Sequence, residues 1–194
     1  HIYRVNIQTR KFTKLIDGDM RDIISIASLV ERERNIVLSF DQYNIKGTML
    51  EEKIGAIEGS KIKEIYSKGS MGNLFYYEDA LHAVGLRKRF DWPTNTSILK
   101  ISNSGKVSYK FHSFDRNIVK AEVNESILYF LYEDSGKTLL RDATNNIDLI
   151  NSEVTIKDFA FNDETTYVIA NSFSSPDEIY AVSYTHLRAH ETSR

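Results

Sequence analysis

The residues able to do chemistry in this 194-residue chain are few and poorly matched in spacing. Five histidines stand at His1, His82, His112, His186 and His190, and there is no cysteine. No pair of histidines has metal-ligand spacing, and thiolate ligands are excluded outright. Acyl transfer by a serine needs a sharp strand-to-helix turn of the Gly-x-Ser-x-Gly type. Gly69-Ser70-Met71-Gly72 approaches that motif but has the wrong spacing, so Ser70 reads as a turn residue. His82 lies inside an apolar run, Leu81–Leu86, where a packed ring is expected rather than a base. His112 precedes Ser113-Phe114-Asp115-Arg116, which reads as an exposed turn. Asp17-Gly18-Asp19 with Asp22 has acidic residues suited to calcium but lacks the alternating order and closing glutamate of a calcium loop. Asn95-Thr96-Ser97 and Asn124-Glu125-Ser126 match the glycosylation sequon, a pattern short enough to arise by chance. The reading therefore assigns no catalytic, cofactor-binding or metal-binding residue to this chain, and no cofactor.

Composition sets the remaining bounds. Apolar residues make up 41% and aromatics 11%, values of a globular chain. The formal charge of −2 offers no footprint for nucleic acid or an anionic membrane. The basic triplet Arg87-Lys88-Arg89 is short and reads as a solvated loop. No apolar run approaches the roughly 18 residues needed to span a bilayer as a helix. Lack of cysteine leans towards a reducing, cytoplasmic setting.

The elements that would position such residues are short strands broken by turn chemistry. Ser97–Ile101, Val107–Phe111, Ser126–Tyr132, Thr166–Ala170 and Glu178–Ala181 are rich in β-branched and aromatic residues. Asn103-Ser104-Gly105, Asp134-Ser135-Gly136 and Asn162-Asp163 carry turn residues between them. SILYFLY, apolar at almost every position, reads as a strand covered on both faces. One helix is expected, around Met49–Ile57.

A repeat organises these strands. An "Ile/Leu-Tyr/Leu-x-hydrophobic" unit followed by a turn begins at Ile2, Ile98, Leu139 and Ile179, the last three starts being 41 and 40 residues apart. The preceding strands, Leu81–Leu86, Ile127–Tyr132 and Tyr167–Asn171, recur in step. A period near 40 with about four strands per unit is the signature of propeller blades. The fold class is therefore all-β, a partial β-propeller of about four blades, truncated at both ends.

Both ends look non-natural. His1 opens directly into a strand without a methionine, so any leader would lie upstream. The string from Val182 to Thr192, VSYTHLRAHET, resembles a translated reading frame of a transposon-type sequencing adapter. The expected organisation is a partial propeller over residues 1–181 and a non-native tail over 182–194, which removes His186 and His190 from consideration.

Phe159–Val182, FAFNDETTYVIANSFSSPDEIYAV, resembles the last propeller blade of the prolyl oligopeptidase family, in its acylaminoacyl-peptidase-like branch. Ser174-Ser175-Pro176-Asp177-Glu178-Ile179-Tyr180 matches that family's Ser-Ser-Pro…Glu-Ile-Tyr segment. Asn162-Asp163-Glu164 stands where the family has a Ser-Pro-Asp-Gly turn, and the second proline of the terminal motif is absent. His1–Asp19 is similar to the strand–turn units of the same propellers, whereas Gly72–Ile101 shares only their rhythm. The resemblance implies a serine peptidase whose propeller gates peptide substrates on their way to an α/β-hydrolase domain outside this chain. The partners it implies are that C-terminal hydrolase domain, further blades of the same protein and peptide substrates, with no nucleic acid and no membrane. The alternative is a binding or scaffold propeller with no hydrolase partner.

Overall fold

A computed structural model of the chain describes residues 2–16, 23–43, 49–88, 95–111, 114–150, 154–162 and 165–183. Every described element is a strand. The chain divides into two compact units, residues 1–94 with 98–112, and residues 95–97 with 113–194.

The first unit opens with a hairpin of β1 (Ile2–Asn6) and β2 (Lys11–Ile16). An antiparallel sheet follows, with β3 (Ile23–Arg32), β4 (Asn35–Tyr43), β5 (Leu50–Glu58) and β6 (Lys61–Tyr66) paired in chain order. A second sheet of the same plan contains β7 (Ser70–Tyr77), β8 (Ala80–Leu86), β9 (Ser97–Ile101) and β10 (Val107–Tyr109). The second unit repeats the plan in β11 (Ile118–Asn124), β12 (Ile127–Asp134), β13 (Lys137–Asp142) and β14 (Ile147–Asp148). It ends in a three-stranded sheet of β15 (Thr155–Asn162), β16 (Thr165–Ser172) and β17 (Ser175–Ser183).

The sheets share a register as well as a strand order. First and second strands are joined by two-residue turns whose residues both have positive φ: Glu33-Arg34, Glu78-Asp79 and Glu125-Ser126. That backbone twist matches the twist of the flanking strands, which is why such turns close hairpins. Beyond each turn the first strand carries a bulge, between Ile26 and Ser28, Gly72 and Leu74, Ile118 and Lys120, and Ile156 and Asp158. A bulge increases local twist and bends the strand.

Three second strands, β4, β8 and β12, are the most apolar because they are covered on both faces. Ile36–Phe40, Leu81–Gly85 and Leu128–Tyr132 are buried throughout. In the first unit Val37 and Ile54 pack against Met71, Leu74, Leu81, Ala83, Leu99 and Ile101. In the second, Tyr129, Leu131 and Leu140 pack against Ile156, Phe159, Val168 and Ala170. Strand spacing is tight at β7 and β8: a Cβ on Gly85 would fall 2.0 Å from the Ser70 carbonyl oxygen, so only glycine fits there.

The β13–β14 connection uses a side chain as acceptor. Asp142 is buried at the end of β13, and its Oδ1 accepts the Thr144 and Asn145 amides at 2.8 and 2.9 Å. Its Oδ2 accepts Asn145 Nδ2 at 2.8 Å. Asn6 ends β1 in the same way, accepting the Thr9 amide at 2.8 Å. Each turn places a positive-φ residue, Asn146 or Arg10, just before the next strand.

The repeat expected from sequence coincides with this plan. The Ile98, Leu139 and Ile179 units lie on the third strands β9, β13 and β17, and the runs before them on the second strands β8, β12 and β16. The helix expected around Met49–Ile57 is not formed; Leu50–Glu58 is strand β5, paired with both β4 and β6. Two features override the local pattern there. Gly55, a poor helix former, sits where a Cβ would lie 2.4 Å from Ile62 Cγ2, and Lys53 bridges Glu51 on its own strand to Glu64 on β6. Tertiary pairing thus decides a segment whose acidic start resembles a helix N-terminus. β17 runs on through Val182 and Ser183, which pair with Thr166 and Thr165.

Candidate functional site

Ser70 is the first residue of β7 and pairs with Leu86, so it lies in a sheet and not on a strand-to-helix turn. His82 is fully buried in β8. Its Nδ1 donates to the Ala80 carbonyl at 3.0 Å, and its Nε2 has no partner among the described residues. The ring stacks on Phe75 at 5.6 Å and meets the edge of Tyr77 at 5.9 Å. Burial pushes its pKa below the usual histidine value, against a weaker opposing pull from the Ala80 carbonyl. A triad histidine turns Nδ1 towards a carboxylate that stabilises the imidazolium. Here Nδ1 faces a neutral carbonyl inside an aromatic cluster, so His82 is a packed neutral ring.

His1, His112, His186, His190, Arg89, Asp17-Gly18-Asp19 and Asp22 lie outside the described residues. The two sequons differ in setting. Asn95 Nδ2 donates to the Asp115 carbonyl at 2.5 Å and Ser97 is buried, whereas Glu125-Ser126 forms an exposed hairpin tip. Arg87 lies over the Tyr109 ring at 5.2 Å, while its carbonyl accepts the Tyr66 hydroxyl. Among the described residues no group of three or more His, Asp or Glu side chains could hold a metal.

A polar hollow of about 390 Å³ lies in the second unit, around the β12–β13 turn. Arg116 and Glu133–Thr138 line it. Arg116 Nε donates to Asp134 Oδ1 at 2.9 Å and its Nη1 to Asp115 at 2.7 Å. The hydrogen bond from Arg116 holds the Asp134 carboxyl below its usual range and raises the guanidinium in return. Asn117 Nδ2 donates to Glu133 at 3.1 Å. Ser135 Oγ donates to Asp134 at 3.3 Å. The hollow can meet a polar segment through hydrogen bonds. In the sequence, Asp134-Ser135-Gly136 reads only as a turn. Arg116, on the preceding loop, gives no signal that it will reach it.

No protein-family model and no curated protein matches the chain. Solved structures do. The β-propeller domain of the Trilobed protease from Pyrococcus furiosus superposes with a TM-score of 0.70 at 12% identity, over 92% of this chain and 57% of that one. An acylaminoacyl peptidase from Pyrococcus horikoshii superposes with a TM-score of 0.64 at 15% identity, over 84% of this chain and 28% of that one. A further acylaminoacyl peptidase structure, in complex with a chloromethyl ketone, gives 0.50 at 12% identity over 96% of this chain. The chain thus spans little more than half of the first of these proteins and less than a third of the second. With antiparallel meanders packed face to face inside each unit, this is an all-β chain with the blade architecture of a β-propeller.

Proposed function

We propose that this chain is the non-catalytic propeller part of a serine peptidase of the prolyl oligopeptidase family, acylaminoacyl-peptidase-like, and that it gates access to an α/β-hydrolase domain encoded elsewhere in the same gene. The observation that carries the reading is the coincidence of two independent likenesses. The blades superpose on the propeller of a protease and on an acylaminoacyl peptidase. The Ser174–Tyr180 segment, matched to that family by its residues, falls on the turn into β17 and its first half.

The role is a steric one. A ring of blades admits extended peptides and rejects folded proteins, while the chemistry belongs to the hydrolase domain. There a serine attacks the carbonyl, a histidine moves the proton and backbone N–H groups hold the oxyanion. The lack of cysteine fits a reducing compartment, and this reading places the parent in the cytoplasm.

The test is the product of the intact gene. It should hydrolyse short acylated peptides and spare the same sequence inside a folded protein, and a fluorophosphonate probe should label it. The present chain alone should take up none of that probe. An intact product that neither labels nor hydrolyses would leave a binding propeller as the reading.

A further inference from the structure

We draw no further inference here: the strongest candidate, the polar hollow around the β12–β13 turn, belongs to the site already described, its Arg116 guanidinium is held by Asp115 and Asp134, and nothing in the structure shows what would occupy it.

Discussion

Removing the Asp142 carboxylate tests whether the blade turns are held as described. The group is buried, and it accepts three hydrogen bonds from the turn it precedes: two from backbone amides and one from the Asn145 side chain. A hydrogen bond to a charged acceptor is worth about 1.5–3 kcal/mol. Thr144 and Asn145 lie at the surface, where water replaces part of what is lost. Asp142→Ala should therefore cost about 2–4 kcal/mol, below the sum of three separate bonds. Asp142→Asn keeps one oxygen for the two amides and sets its own NH₂ against that of Asn145, so it should cost only about 1–2 kcal/mol. Asn6→Ala removes the equivalent but exposed acceptor of the first hairpin and should cost about 0.5–1 kcal/mol. Urea unfolding followed by far-UV circular dichroism reads the series, each kcal/mol moving the midpoint by roughly 0.3–1 M for a typical urea slope. An alanine variant within error of wild type, or an asparagine variant as damaging as alanine, would refute the reasoning.

Three further substitutions probe the same architecture. Replacing Glu125-Ser126 by Asn-Gly should stabilise the chain by about 1–2 kcal/mol, because both positions have positive φ and neither present residue suits it; a lower melting temperature would count against the turn. Gly85→Ala drives a Cβ into the Ser70 carbonyl and should cost about 3–5 kcal/mol, read by the same urea midpoint, whereas a neutral result would mean β7 and β8 are not so close. His82 is held neutral in the fold, so the unfolded chain binds its proton more readily. Its contribution is flat above the unfolded pKa of about 6.5 and is lost as pH falls below it. His82→Tyr, the residue found at the equivalent Tyr129 and Tyr167 places, should reduce the fall in urea midpoint between pH 7.5 and pH 5, and an unchanged fall would place the dependence elsewhere.

The strands that could be read from sequence are those whose composition is fixed by burial. LHAVGL and ILYFLY are second strands covered on two faces, so they are apolar whatever their neighbours, and YVIAN recurs in step with them without sequence identity. Third strands such as Ile98–Ile101 were legible because each is followed by a turn. First strands were harder. Ile118–Asn124 and Thr155–Asn162 carry bulges that shift the inward row by one residue, which breaks the alternation a strand is recognised by. The Glu-x hairpin turns lack the asparagine and glycine that mark such turns, and Leu50–Glu58 reads as helix until β4 and β6 are in place. The hollow at Arg116 was illegible for another reason: its lining comes from a loop and a hairpin whose meeting depends on the sheet between them.

The central claim, a propeller serving a hydrolase, is tested most directly by sequencing the intact gene through both ends of the present frame. The account predicts about two to four further units upstream of His1 at the same period near 40 residues, enough to close a ring. It predicts that the frame leaves VSYTHLRAHET out and runs from the Glu178–Ala181 strand into an α/β domain of roughly 200–250 residues. That domain should carry Gly-x-Ser-x-Gly, then an aspartate and a histidine in that order. A stop codon soon after Ala181, or more blades and no nucleophile elbow, would contradict it.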